Sequence, residues 1–273
     1  SYTDAQLGRV FDYLRETVSE NDLGKHIRFG HRVRSASFSS ASARWTVVAE
    51  QVQTGETVEL TSRFLYSCAG YYDYESGYTP DFPGIGDFQG TVVHPQFWPE
   101  DLDHTGRRVV VIGSGATAVT LVPSLAQDAA HVTMLQRSPT WISPVPGRDK
   151  VADRLRAVLP AQTAHHIIRA KNIAFTIGVY QFCRRRPEAA RRLLTKLAIR
   201  FLKDEQLVRE HFTPSYNPWE QRLCAAPDAD FFRAIRGGKA EVVTDHIEEF
   251  TAEGIRLKSG KVLAADIIVT ATG

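Results

Sequence analysis

Cysteine is scarce in this chain, and what there is cannot pair locally. Cys68, Cys183 and Cys224 lie far apart among 273 residues, and no CxxC occurs. That excludes a zinc ribbon and a redox dithiol, and fits single buried thiols in a reducing, cytoplasmic setting. Long apolar runs are also missing. The best stretch, AFTIGVYQF, is too short and too polar to cross a bilayer. The opening SYTDAQLGRV has neither a basic nor an apolar leader region, so no secretory signal is read there. Nor does one sign of charge dominate: 33 Lys and Arg face 31 Asp and Glu, a formal net charge of +2. A nucleic-acid surface needs a concentrated basic excess, so no nucleic-acid partner is expected. The 43% apolar and 23% charged residues are those of an ordinary soluble globular chain, and the length suits one large domain or two. A start without Met and an end on VTATG are expected of a piece of a longer chain.

Apolar periodicity then divides the chain. Val10, Phe11, Leu14 and Val18 follow Leu7 at helical spacing, so residues 4–20 read as an amphipathic helix. HIRFGHRVRSASF, RWTVVAEQV and ETVELTSRFLYSCAG read as strands, the last two joined by a turn at Gln53-Thr54-Gly55. FLYSCAG within the third reads as a buried strand ending on small residues. Residues 71–87, rich in Tyr, Gly, Pro and Asp, read as an inter-domain connection. RRVVVIGSG is a nearly continuous apolar strand, as when both faces of a parallel sheet are covered. ATAVTLVPSLAQD follows as a helix and HVTMLQR as a second strand. Residues 150–212 are basic and helical, interrupted at Arg184-Arg185-Arg186-Pro187, where the residue before proline leaves helical angles. The tail from Ala240 reads as short strands turning at Glu253-Gly254 and Ser259-Gly260.

Gly113-Ser114-Gly115-Ala116-Thr117-Ala118 fits GxGxxA, with a strand before it, a helix after it and a second strand within one βαβ length. In that context Gly113 permits the tight turn, Gly115 lets a pyrophosphate approach the backbone, and Ala118 lets helix and strand pack closely. The helix N-terminus offers free N–H groups to the phosphates. An NAD site places an acid about 20 residues on, to hold the ribose 2′-hydroxyl. Here Gln136, Arg137 and Ser138 stand there instead. A neutral residue, a guanidinium and a hydroxyl suit a 2′-phosphate, so NADPH is expected over NADH. The alternative for Arg137 is a solvated surface charge.

Phe88-x-Gly90-x3-His94-x3-Trp98-Pro99, followed by the GxGxxA turn, resembles the signature of Baeyer–Villiger monooxygenases within the flavin-containing monooxygenase superfamily. The resemblance continues through HPQFWPEDLD, HVTMLQRSPTW, YNPWEQRLC, FRAIRGGKAEVVTD and ADIIVTATG, and points to the ethionamide-activating group. It implies an α/β fold with two dinucleotide-binding domains, a Rossmann-like NADPH domain inserted in an FAD domain. On that reading residues 1–87 are a partial FAD-binding domain and 88–106 the signature linker. Residues 107–260 are then the NADPH domain with a helical insertion at 150–212, and 261–273 the return to the FAD domain. The family's first FAD fingerprint, an N-terminal GxGxxG, is absent from the sequence.

The same resemblance implies the functional residues. Val33 matches a position whose backbone meets the FAD adenine. Ala69 and Gly70, in SCAG, and Gly273, in TATG, match the strand ends where the chain passes between domains. Arg222, in YNPWEQR, matches an arginine beside the flavin. A guanidinium stays charged at any working pH, so it can stabilise a C4a-peroxyflavin anion and the alkoxide-like species that follows. Gln221 departs from relatives that carry lysine there for the 2′-phosphate, which leaves more of that task to Arg137. His94 is expected to couple the linker to NADPH-driven domain rotation rather than to act as a base. His165-His166 have no ligand-spaced carboxylate or cysteine, so no metal is expected. The basic helical face is expected to be solvated, with weak peripheral membrane contact as an alternative. The implied activity is FAD- and NADPH-dependent transfer of one oxygen atom from O2 to a ketone, or to a thiocarbonyl, sulfide or nitrogen compound. The rival reading is a truncated NADPH-binding module without flavin. A flavin disulfide reductase is disfavoured by the missing redox cysteine pair.

Overall fold

The computed structural model describes residues 4–70, 72–221 and 223–272, and of residues 4–9 the backbone alone. The chain forms two compact units, Ser1–Asp73 and Tyr74–Gly273.

In the first unit, helix α1 (Asp4–Glu20) precedes strands β1 (His31–Ser39), β2 (Arg44–Gln51) and β3 (Thr57–Ser62), an antiparallel sheet in the order β1-β2-β3. Gly55 closes the β2–β3 turn at φ +73°, its N–H donating to the Gln51 carbonyl at 2.8 Å. Ala49 alone among this unit's described residues is buried. FLYSCAG is not the expected buried strand. It is irregular, with Phe64 76% and Tyr66 78% exposed. A strand needs a partner edge for its backbone groups, and among the described residues no ladder pairs with this segment.

The second unit opens with strand β4 (Thr91–Val93), then β5 (Arg108–Ile112), helix α2 (Ala116–Leu125), β6 (His131–Gln136) and β7 (Trp141–Val145). Four helices follow: α3 (Lys150–Val158), α4 (Ala161–Arg185), α5 (Pro187–Leu202) and α6 (Glu205–His211). Then come β8 (Leu223–Pro227), α7 (Asp230–Arg236), β9 (Ala240–Thr244), β10 (Ile247–Thr251), β11 (Gly254–Leu257), β12 (Val262–Ala264) and β13 (Ile267–Thr270). Arg186, at φ −132° and ψ 56°, breaks the helical run just before Pro187, as its sequence requires. α2 stops at Leu125, two residues past Pro123, short of the expected Asp128.

Five strands form an all-parallel sheet in the order β4-β13-β5-β6-β9. The apolar run of β5 divides by parity, because successive strand residues face opposite sides. Val109 and Val111 join Val132, Met134 and Val242 in a core with α2, α7 and the inserted helices. Val110 and Ile112 join Leu135, Val243 and Ile268 in a second core beneath the antiparallel meander β10-β11-β12. Arg108 clamps the start of β13 against β5: its Nη2 donates to Asp266 Oδ1 at 2.7 Å, and that bond holds the Asp266 carboxyl down at about 2.

The signature segment winds around the sheet edge. Phe88 is buried in the meander-side core, β4 pairs with β13, and Trp98 packs against the helix-side core. Gly90 is required here, since a Cβ would lie 2.4 Å from the Asp266 carbonyl oxygen. The expected divisions at 87/88, 106/107 and 260/261 all fall inside this unit. Residues 74–87 pack with it because the Phe250 N–H donates to the Pro83 carbonyl at 2.7 Å and the Phe82 and Phe250 rings stack at 5.4 Å. The expected division at 260/261 falls in the β11–β12 turn. Beyond it, Ile268 and Val269 are fully buried on β13, between β4 and β5 in the parallel sheet.

Candidate dinucleotide-binding site

In an open parallel sheet, ligands bind beyond the carboxyl ends of the strands where the winding reverses. β6 lies to one side of β5 and β13 to the other, so that point is the loop after β5, which is GSGATA. A crevice of about 650 Å³ opens there, lined by Gly113, Ser114 and Gly115 along with Arg137, Ser138 and Gln221. Its far wall is the segment from Tyr78 to Pro83. That segment is held by Thr272 Oγ1 donating to the Tyr78 carbonyl at 2.8 Å and by the Thr79–Thr270 hydroxyl contact at 3.2 Å.

Each glycine-loop position does what its residue type allows. Gly113 sits at φ +135°, and a Cβ there would be 2.4 Å from the Ala271 carbonyl oxygen. Gly115 is the N-cap of α2 and offers no side chain to its N–H groups. Ala116 and Thr117 are exposed on the first turn, and Ala118 is fully buried against the sheet. Uncapped N–H groups facing an open crevice are what a pyrophosphate needs, so these residues fit a dinucleotide.

At the end of β6 the expectation needs correction. Gln136 is 1% exposed and turned inward, so its neutrality is not presented to a nucleotide. Its Nε2 donates to the His211 carbonyl and to Thr244 Oγ1, both at 2.8 Å, fastening α6 to β6 and β9. Arg137 and Ser138, both exposed, line the crevice instead. His211 Nδ1 lies 2.7 Å from Thr244 Oγ1, and burial pushes the imidazole below its ordinary range although Glu210 pulls the other way. A group depressed in the fold binds its proton more readily when unfolded. Its stabilising effect is therefore complete above the ordinary imidazole value of about 6.5 and is lost as pH falls below it. Melting temperature is expected to drop from pH 7 to pH 5, and His211→Asn to flatten that slope. Equal slopes in the two proteins would refute the assignment.

The loop bearing Gln221 is braced from behind. Trp141 Nε1 donates to the Tyr216 carbonyl at 2.9 Å, and Trp141 pairs with Leu223 where β7 and β8 run parallel. Thr140 Oγ1 and the Tyr216 hydroxyl lie 2.7 Å apart. Asn217 donates from its backbone N and from Nδ2 to Glu220, each at 2.8 Å, which holds that carboxyl below its usual range. The inserted helices reach the same loop: Arg191 lies over the Trp141 ring at 6.0 Å, and Tyr180 meets Trp219 edge-on at 5.8 Å. Arg222 lies outside the described residues, as does Gly273.

His94 packs its ring on Gly77, where a Cβ would fall 2.1 Å from Nδ1. That Nδ1 accepts from the Gln96 N–H at 3.2 Å, and Nε2 is buried with no partner among the described residues. Pro99 is exposed. Val33, 62% exposed in β1, and the exposed Ala69 and Gly70 lie in the first unit. The crevice also draws in Asp245, His246, Lys258 and Ala271, which sequence reading missed. They carry no motif, and only the strand order brings them to the turn.

A family model for flavin-binding monooxygenase-like proteins matches residues 5–149. The chain belongs to this family. It is 52% identical over 265 residues to the FAD-containing monooxygenase EthA of Mycolicibacterium smegmatis, covering 97% of this chain and 54% of that protein. It is 49% identical over 262 residues to the probable FAD-binding monooxygenase AlmA of Acinetobacter baylyi, covering 96% and 52%. The chain spans about half the length of the curated relatives it matches. The fold is shared with a steroid monooxygenase solved bound to NADP, at TM-score 0.74 and 23% identity, over 97% of this chain and 56% of that one.

Proposed function

We propose that this chain forms the NADPH-binding part of a flavin monooxygenase, with the nucleotide lying across the crevice at the GSGATA turn. The observation that carries the reading is Gly113, pressed on the Ala271 carbonyl at the sheet's winding reversal, with uncapped helix N–H groups beside it. Residues 113–117 hold the pyrophosphate while Ala118 seats α2 against the sheet behind them, Arg137 and Ser138 take the 2′-phosphate, and Gln221 borders the same cavity. NADPH supplies hydride to a flavin when both are bound. The chain's own residues bind the nucleotide, orient it and wall off water with the Tyr78–Pro83 segment.

The FAD positions, Val33, Ala69, Gly70 and Gly273, rest on family resemblance, as does Arg222 as the cation that stabilises developing negative charge. The relatives named as FAD-containing support FAD as the second cofactor. For the complete protein we infer oxygen transfer from O2 to a ketone or to a thiocarbonyl or sulfide. No helix among the described residues is long and apolar enough to cross a membrane. Calorimetric titration of the 273-residue chain with NADPH tests the binding reading; absence of saturable binding would refute it. An absorbance band near 450 nm in the purified complete protein, and NADPH oxidation stimulated by a ketone with ester as product, test the oxygenase reading. A complete protein without flavin absorbance would favour the flavin-free NADPH module.

A further inference from the structure

Recognition of a 2′-phosphate in the crevice, which rests on the NADPH reading above, calls for more than one cation. Gln221, which faces the crevice, departs from relatives that carry lysine there for the 2′-phosphate. A single guanidinium is then left for a dianionic group. We propose that Lys258, at the end of β11, is the second cation of the 2′-phosphate subsite, facing Arg137 across the end of β9.

Hydrogen bonds set the geometry. The Asp245 N–H donates to the Gln136 carbonyl at 3.0 Å, and the Lys258 N–H donates to the His246 carbonyl at 2.9 Å. Consecutive residues Asp245 and His246 thus tie the chain just before Arg137 and the backbone of Lys258 to one short bend after β9. Both side chains line one cavity and both are exposed. Neither is held in an ion pair among the described residues. An arginine and a lysine that line one cavity and have flexible stems can both reach a dianionic phosphate bound there.

Asp245, between them, is the competing feature, because an acid facing the cavity would repel the phosphate and favour a ribose hydroxyl. Its carboxylate is instead bonded to the turn that presents Lys258. Oδ2 accepts from the Ser259 N–H at 3.2 Å and Oδ1 from the His246 N–H at 2.6 Å, and these bonds hold the acid below its usual range. An acid that selects NAD stands at the end of the second strand of the βαβ unit, here β6, whereas Asp245 follows β9. Its geometry orders the Lys258 turn.

Titration of the 273-residue chain with adenosine 2′,5′-bisphosphate and with 5′-AMP separates these cases. The parent chain is expected to prefer the bisphosphate. Lys258→Ala is expected to weaken the bisphosphate about tenfold and leave 5′-AMP unchanged, and Lys258→Gln, which keeps the aliphatic stem, to do the same. Gln221→Lys added to Lys258→Ala is expected to recover part of the preference. A preference unchanged by either Lys258 substitution overturns the inference while leaving the nucleotide site standing, as does equal weakening of both ligands. A parent chain that binds neither ligand overturns the nucleotide reading and this inference together.

Discussion

Gly113→Ala is expected to abolish measurable NADPH binding and to lower the melting temperature by roughly 6–12 °C. Two costs combine at this position. A φ of +135° is backbone that a residue with a Cβ rarely adopts, and the added carbon would sit 2.4 Å from the Ala271 carbonyl oxygen. That oxygen belongs to the chain directly after β13, the neighbour of β5 in the sheet, and cannot withdraw without opening the ladder. The combined strain is about 3 kcal/mol, and for a unit of this size each kcal/mol moves the melting point by about 2–4 °C. Relief requires shifting the loop, which carries the first turn of α2 away from the phosphate position, so binding and stability fall together. Differential scanning calorimetry with and without NADPH measures both. A variant that melts like the parent and still gains stability from NADPH would show that the turn has room the geometry denies.

Trp141→Ala is expected to destabilise the second unit by about 3–5 kcal/mol, in the range for deleting a buried aromatic. Trp141 is 2% exposed, and both ends of the loop from Tyr216 to Leu223 are tied to it, one by its indole N–H and the other by strand pairing. Trp141→Phe separates packing from the tie. It keeps the pairing and most of the buried ring but leaves the Tyr216 carbonyl without its donor, a loss of about 1 kcal/mol. Urea unfolding gives the stabilities by linear extrapolation. NADPH titration of the Phe variant reports on the loop, where weakened binding is expected because Gln221 borders the crevice. Unchanged affinity in a Phe variant that has lost the expected stability would mean that the tie serves folding alone. The brace also gives the helical insertion a task beyond presenting a basic face, since Tyr180 and Arg191 both bear on this loop or on Trp141.

Much of the parallel sheet was legible because its rules are local. RRVVVIGSG announces a strand buried on both faces and a turn that only glycine can make, and β5 stands, and α2 begins, where that reading puts them. The break at Arg186-Pro187 was legible for the same reason, since proline constrains its own neighbour. FLYSCAG shows the limit. Its apolar content reads as a strand, but strand formation depends on a partner edge that no local pattern records, and it stays exposed. Gln136 shows another limit. Sequence placed it at the end of β6, yet whether its amide faces a nucleotide or the core depends on Thr244 and on the His211 carbonyl, far along the chain.

The βαβ unit, the glycine turn, the helical insertion and the family resemblance were all readable along the chain, because they rest on residue type at short fixed spacing. Tertiary packing, in contrast, sets β13, last in the chain, beside β5, so that Ala271 backs Gly113. It likewise decided that FQGTVVHPQFWP wraps the sheet edge from one core to the other, and that Lys258 shares a cavity with Arg137. Those juxtapositions follow from strand order, which is set by how whole faces bury one another rather than by any stretch of neighbouring residues.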